Sequence, residues 1–292
     1  MDITKLVRPN IQRLKPYSSA RSEFKGRAEV WLDANENPND TGLNRYPDPL
    51  QWKVKQILSE IKGVPAEKIF LGNGSDEVID LLIRIFCRPG IDEIITLPPT
   101  YGMYRVSADI CDVAVREVPL TVDFQLQVEK ILAAATSQSK ILFICSPNNP
   151  TGNNMMLPAM QRLVENFPGI VVVDEAYIDF AGQKSTSEWL PQYPNLVVSQ
   201  TFSKAWGLAG IRLGIAYANE IILNLMNKVK PPYNVNVLTQ NAALEALQNR
   251  SQQQRWVNEI LAERQQLVSA LEDCSLVNKV FPSDANFVLA RV

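Results

Sequence analysis

The stretch SQTFSKAWGLAGIRLG, residues 199–214, opens on the last residue of one apolar run and closes inside the next. Between the runs sits a single lysine, Lys204, flanked by hydroxyls and small residues and followed by Arg212. A lysine placed for solubility more often stands among other charges on a polar face, so this one implies a pocket. Working outward, five short apolar runs punctuate the middle of the chain: EIITL (93–97), KILFIC (140–145), IVVV (170–173), NLVVS (195–199) and RLGIAY (212–217). Runs without apolar/polar alternation fit strands buried on both faces. With helical segments between several of them, they predict an α/β fold, a three-layer α/β/α domain around a mostly parallel central sheet.

Helix signals flank this region. Asp48 reads as an N-cap with Pro49 in the first turn, apolar positions 54, 57, 58 and 61 follow at helical spacing, and Gly63 is the stop. Ser75 reads as a second N-cap, followed by Val78, Leu81, Leu82 and Ile85. Residues 236–273 look helical, and 278–292 look like two short strands joined by a Pro-Ser-Asp turn. Residues 1–39 are turn-rich and interrupted by Pro9, Pro16 and Pro38.

The composition excludes several function classes. The 29 Lys and Arg nearly balance 31 Asp and Glu, which gives a formal net charge of −2 and no basic surplus for nucleic acid. No run of 18 apolar residues suggests a membrane span, and no apolar leader opens the chain, so a soluble cytoplasmic protein is expected. Cys87, Cys111, Cys145 and Cys274 form no close pair and read as buried apolar residues in a reducing compartment. Histidine is absent. That excludes Ser-His-Asp and Cys-His nucleophile systems and any histidine-based metal site, and no metal is expected.

In open α/β sheets ligands bind beyond the carboxyl ends of the strands. SPNNPTG (146–152) follows KILFIC, Asp174-Glu175-Ala176-Tyr177 follows IVVV, Thr201-Phe202-Ser203-Lys204 follows NLVVS, and Arg212 begins the next run. An amine-reactive pyridine cofactor needs these groups. Its ring nitrogen stays protonated against a buried carboxylate, for which Asp174 is the candidate. Asn149 and Tyr177 can donate to a ring hydroxyl. Lys204 offers an amine suited to a covalent carbonyl anchor when partly desolvated. Thr201, Ser203, Arg212 and the Gly74-Ser75-Asp76 helix start fit a phosphate. Asp76 has the wrong sign there, so its backbone N–H is expected to serve while its side chain points away. Each feature alone has a plainer reading: a turn residue, a common loop, a surface lysine, half of an ion pair. Their joint occurrence in order points to a site.

At this point the chain resembles the fold-type I pyridoxal-phosphate-dependent aminotransferases, and within them the histidinol-phosphate aminotransferase family. The resemblance rests on WLDANENP (31–38), NRYPDP (44–49), GNGSDE (72–77), PPTYGMY (98–104), SPNNPTG (146–152), DEAYIDF (174–180) and TFSKAWGLAGIRLG (201–214). It implies pyridoxal 5′-phosphate as cofactor, with Lys204 bonding to it and carrying the substrate proton. Asp174 then holds the pyridinium proton, Asn149 and Tyr177 bind the ring oxygen, and Tyr101 stacks on the ring. Ser75, Asp76, Thr201, Ser203 and Arg212 hold the phosphate. The resemblance further implies a homodimer in which Tyr46 reaches the partner's cofactor, with Tyr17, in KPYSSAR, Asn35 and Tyr46 itself on the substrate side. The reaction implied exchanges L-histidinol phosphate and 2-oxoglutarate for imidazole-acetol phosphate and L-glutamate, in histidine biosynthesis.

The same resemblance divides the chain into a 1–39 segment serving a smaller α/β domain and the active site, a large cofactor domain at 40–265, and the beginning of the smaller domain at 266–292. Family members continue into an arginine motif that clamps a substrate anion. Its absence before Val292 implies an incomplete small domain. The alternatives are an aromatic or broad-range aminotransferase, an enzyme like threonine-phosphate decarboxylase, or a chain that binds the cofactor with impaired turnover.

Overall fold

A computed structural model describes residues 1–17, 26 and 28–292. Among these, the helices are α1 (Pro9–Arg13), α2 (Trp52–Lys62), α3 (Ser75–Phe86), α4 (Met103–Ile110), α5 (Val128–Ala134), α6 (Leu157–Asn166), α7 (Glu220–Val229), α8 (Val237–Gln248) and α9 (Arg250–Glu272). The strands are β1 (Ile69–Asn73), β2 (Glu93–Thr96), β3 (Ala114–Glu117), β4 (Ser139–Cys145), β5 (Ile170–Asp174), β6 (Leu196–Thr201), β7 (Leu213–Ala218), β8 (Lys279–Val280) and β9 (Ala290–Arg291).

Seven strands form one sheet in the order β1-β7-β6-β5-β4-β2-β3, and β8 pairs with β9 in a separate two-stranded sheet. Neighbours in the large sheet run parallel except at β7, which is antiparallel to both β1 and β6. That reversal explains how a residue at the start of a run belongs to the carboxyl edge. Arg212 does not follow the carboxyl end of a strand. It precedes β7, and because β7 runs backwards its start lies beside the carboxyl ends of β1 and β6.

The non-alternating runs are buried on both faces. Ile141, Phe143, Ile170, Val172, Val197 and Ala216 face one apolar layer, which includes α3 and α7. Leu142, Ile144, Val171, Val173, Val198 and Ile215 face the other. Each such aliphatic side chain contributes roughly 1.5–3 kcal/mol relative to exposure, so the strands are fixed in register. Ile3, Val7 and Ile11 are buried against the first layer with Phe86, Leu223 and Met226. Residues 3–13, grouped with a smaller domain by the sequence reading, therefore pack on this sheet.

Two strands had no clear signal. β1 ends in Gly72-Asn73 and merges into the GNGSDE loop, while the edge strand β3 is mostly exposed and lacks an apolar run. Two N-caps differ from expectation. Gln51 precedes α2, and the Asp48 carboxylate reaches past it to accept from the Trp52 N–H at 2.7 Å. Gly74, not Ser75, precedes α3, because its left-handed φ of 77° turns the chain into the helix. Of the cysteines, Cys87 and Cys145 are buried, but Cys274, just past the end of α9, is exposed. No helix among the described residues is long and apolar enough to cross a membrane.

Candidate active site

The ends of β4, β5 and β6 meet at one edge, with Cys145 beside Asp174, Asp174 beside Ser199, and Thr201 beside Gly214. A cavity opens there. Every site residue expected from the sequence lines it except Tyr17, Asn35 and Tyr46.

Asp174 forms the cavity floor, 4 % exposed. Among the described residues no cation pairs with it. Burial pushes its carboxyl up to about 6, against hydrogen bonds from the Tyr104 hydroxyl and the Ala176 N–H that favour the charged form. Tyr104 Oη donates to Asp174 Oδ2 at 2.8 Å, and Ala176 N donates to Oδ1 at 3.2 Å. Tyr104 escaped the sequence reading although it ends the quoted PPTYGMY motif. Tyr104 lies in the first turn of α4, and Tyr101, just before the helix, meets its ring edge-on at 5.6 Å.

The tandem asparagines after β4 divide their work. Asn148 is fully buried; its amide donates to Pro99 O and Thr151 Oγ1, and its oxygen accepts from Thr100 Oγ1. It fastens the PPT turn to the NPTG turn. Asn149 is left to line the cavity. Tyr177 does so too, and burial pushes its phenol up to about 12, so it remains a neutral donor.

A phosphate-sized corner lies where α3 begins. Its N-cap, Gly74, supplies no side chain, so the first N–H groups of α3 are open to a ligand. Ser75, Thr201, Ser203 and Arg212 face the same corner. A Cβ on Gly74 would lie 2.7 Å from Arg212 Nη2. The expectation for Asp76 is corrected. Its side chain points into the cavity, where Oδ1 accepts from Tyr101 Oη at 3.1 Å and Oδ2 lies 3.3 Å from Arg212 Nη2. The guanidinium beside it explains how a carboxylate is tolerated at an anion corner.

Lys204 also departs from expectation. It lines the cavity but is exposed, with Nζ 5.4 Å from the centroid of the Tyr177 ring. The protein alone does not enclose it, because the cavity is open on that side. Phe287, from the turn between β8 and β9, stands edge-on to Tyr177 at 5.1 Å, a wall that the sequence did not single out.

The remaining expected residues lie elsewhere. Tyr46 stacks on Tyr233 at 4.4 Å and borders a surface hollow together with Asn35. Tyr17 is 72 % exposed. Residues 18–21 of its KPYSSAR motif lie outside the described residues. A single chain does not bring these three side chains to Lys204.

The cavity fits a phosphorylated pyridine aldehyde on this structure's own terms. Asp174 is a buried carboxylate lacking a cation, the α3 corner is a cradle that a Cβ at Gly74 would fill, and Lys204 supplies a primary amine. This arrangement defines a lysine-centred site at the carboxyl edge of an α/β sheet, the layout of an aminotransferase. A family model described as aminotransferase class I and II matches residues 20–292. A histidinol-phosphate aminotransferase of Cytophaga hutchinsonii is 57 % identical over 290 residues, covering 98 % of this chain and 83 % of that one. One from Parabacteroides distasonis is 53 % identical, covering 100 % of this chain and 84 % of the relative. A solved histidinol-phosphate aminotransferase of Sinorhizobium meliloti, in complex with pyridoxal-5′-phosphate, superposes with a TM-score of 0.78 at 25 % identity, over 84 % of this chain and 67 % of that one. The chain belongs to the class I and II aminotransferases and, within them, to the histidinol-phosphate aminotransferase family.

Proposed function

We propose that this chain is a pyridoxal-phosphate-dependent transaminase of histidine biosynthesis, converting L-histidinol phosphate and 2-oxoglutarate to imidazole-acetol phosphate and L-glutamate, and the reverse. The carrying observation is the convergence of Asp174, Lys204 and the Ser75–Thr201–Ser203–Arg212 corner on one cavity. Similarity of more than 50 % identity over nearly the whole chain supports the substrate assignment.

When bound, the cofactor supplies an aldehyde that takes up the amino group and a ring that accepts the electron pair left at the α-carbon. The chain's residues do the rest. Lys204 takes the α-proton and returns it, work that a placed general base accelerates by roughly 10²–10⁴-fold. Asp174 keeps a proton on the ring nitrogen. Asn149 and Tyr177 donate to the ring oxygen, and Tyr101 covers the ring face. The N–H groups of Ser75 and Asp76, with Thr201, Ser203 and Arg212, hold the phosphate. Tyr46 of the partner subunit completes that corner in a cytoplasmic homodimer, and Tyr17 and Asn35 stand on the substrate side. Residues 40–265 form the cofactor-binding unit, and residues 266–292 begin the smaller domain.

The test is a visible spectrum of the cofactor-loaded protein with L-histidinol phosphate, followed by steady-state rates with that substrate, phenylalanine and threonine phosphate. Bleaching by histidinol phosphate, reversal by 2-oxoglutarate and the highest kcat/KM for histidinol phosphate are expected. A higher kcat/KM for either competitor overturns the substrate assignment.

A further inference from the structure

Tyr104 is fully buried at the start of α4, and its hydroxyl donates to Asp174 Oδ2 at 2.8 Å. Its ring lies flat on Phe143 of β4, with centroids 4.6 Å apart and planes 11° from parallel. Tyr101 meets it edge-on at 5.6 Å. Held on both sides, the phenol has one position, and that position fixes the carboxylate. A buried tyrosine hydroxyl needs a partner, so a plain core role would satisfy it equally well with a backbone carbonyl. Here it is spent on the one buried carboxylate of the cavity that lacks a cation.

We propose that Tyr104 is a positioning residue for the cofactor: its hydroxyl holds the Asp174 carboxylate in one rotamer and in its charged form, aimed at the ring nitrogen. This rests on the reading that Asp174 faces that nitrogen. The Ala176 N–H anchors the other oxygen. The remaining groups around Asp174 oppose ionisation or stay neutral. Burial acts first, and the nearby carboxylates of Asp76 and Glu175 add to it. Cys145 and Tyr177, both raised by burial, and Tyr101 are uncharged neighbours. Lys204 and Arg212 share the cavity. Among the side chains that contact Asp174, Tyr104 is thus the donor that favours the anion. The phenol itself stays protonated, because burial and Asp174 push it well above its ordinary value.

The experiment compares two ligands on apoprotein by fluorescence titration between pH 5.5 and 8.5. One is pyridoxal 5′-phosphate, and the other is its carbocyclic analogue with C–H in place of the ring nitrogen. Tyr104→Phe keeps the stack on Phe143 and removes only the donor. Loss of a hydrogen bond to a charged group is expected to weaken pyridoxal phosphate about tenfold at pH 7. The acid limb of binding should move up by about one pH unit, while the analogue's affinity stays unchanged. Equal weakening of both ligands, or none, overturns the proposal, because a merely structural tyrosine does not distinguish nitrogen from carbon. Asp174→Asn is the control for the underlying reading: if it too weakens both ligands equally, the assignment of Asp174 fails. If Asp174→Asn discriminates and Tyr104→Phe does not, only the role of Tyr104 fails. Should Tyr104→Phe not fold, 3-fluorotyrosine at position 104, a stronger donor, must move the acid limb down; an unmoved limb overturns the proposal.

Discussion

Gly214, on β7, passes so close to Ser75, the first residue of α3, that a Cβ on the glycine would lie 2.3 Å from the Ser75 nitrogen. The same Cβ would meet Gly74 C at 2.3 Å and Gly74 O at 2.5 Å. All three neighbours are backbone, so no side chain can swing away. The contact sets the anion corner: Gly74 N donates to Arg212 O at 2.8 Å, joining the loop before α3 to the residue before β7. Gly214→Ala should therefore destabilise the apoprotein by about 2–3 kcal/mol or more, as overpacking of a tight site does. Pyridoxal-phosphate affinity should fall with it, since the helix start must move. Urea unfolding and cofactor titration of the same variant check both, and an unshifted urea midpoint would contradict the close approach.

Lys204 makes the opposite prediction. It is exposed with its amine over the face of Tyr177, so truncation leaves no buried group unpaired among the described residues. Lys204→Ala should change the unfolding free energy by no more than about 0.5 kcal/mol, the usual range for a surface substitution. Turnover should fall by at least about 10²-fold, the lower range for losing a placed general base. Unfolding curves and kcat for wild type and variant separate the two effects.

How far the site could be read from sequence follows from what each residue contacts. Asp174, Lys204 and Arg212 were legible because Asp174 ends and Arg212 begins an apolar run and Lys204 stands between two of them, and the runs themselves marked buried strands. The direction of β7 was not legible, since its residues are apolar whichever way it runs; pairing with β1 and β6 is a long-range property. Tyr104 was hidden for a related reason. A tyrosine on an apolar helix face looks like core, and only the arrival of Asp174 from β5, seventy positions away, gives its hydroxyl a task. Asn148 and Asn149 were indistinguishable in sequence, and only the docking of the PPT turn separates the structural one from the one in the cavity. Tyr46 and Asn35 carry motif signals, but the chain's own geometry leaves them on a surface hollow apart from the cavity.

The buried Asp174 carboxylate opposes stability. Its carboxyl titrates near 6 in the folded apoprotein against an ordinary 3.8. Between those values the folded state holds a proton that the unfolded chain has released. Stability contributed by the neutral acid is therefore present below about pH 4 and lost as pH rises through 6. A shift of this size corresponds to about 3 kcal/mol. Asp174→Asn keeps an oxygen for the Ala176 N–H, turns an amide N–H toward the Tyr104 hydroxyl oxygen, which can accept it, and never ionises. The variant apoprotein should unfold at higher urea than wild type at pH 7.5, by about 1–3 kcal/mol, with the gap closing near pH 4. Its transaminase activity should fall at the same time. A variant less stable than wild type at pH 7.5 would show that the carboxylate is not penalised by burial.

Lys55, on α2, is buried to the same degree, at 3 % exposure, but far from this chemistry. Its amine sits 5.5 Å from the Trp52 ring centroid, and no salt bridge joins it to a described residue. Burial, followed by the nearby charge of Lys230, lowers its pKa to about 8, against a weaker opposing pull from Asp48. Lys230 is lowered to about 8 as well, but its Nζ donates to three carbonyls, Pro49 O, Pro231 O and Pro232 O, at 2.8, 3.2 and 2.9 Å. Those acceptors favour the ammonium at Lys230, and no hydrogen bond joins Lys55 Nζ to an acceptor among the described residues, so Lys55 is the cleaner test. The unfolded chain keeps the Lys55 proton up to about 10.5 and the folded chain only to about 8. The stability this group contributes is present above the upper value and lost as pH falls through the lower one, so Lys55 by itself adds stability between pH 8 and 10. From about pH 9 ionisation of the Cys87 and Cys145 thiols in the unfolded chain works the other way, and above 10 that of Tyr104 and Tyr217 joins it, since burial holds all four well above their ordinary values in the fold. Lys55→Met preserves the length of the side chain and removes the charge. It should stabilise the protein at pH 7 by about 1–3 kcal/mol, as replacement of a buried charge by a packed apolar group does, and it should remove the Lys55 contribution between pH 8 and 10. Urea midpoints of the two proteins at pH 7, 8, 9 and 10 decide the matter: parallel curves would mean that Lys55 keeps its ordinary proton affinity in the fold.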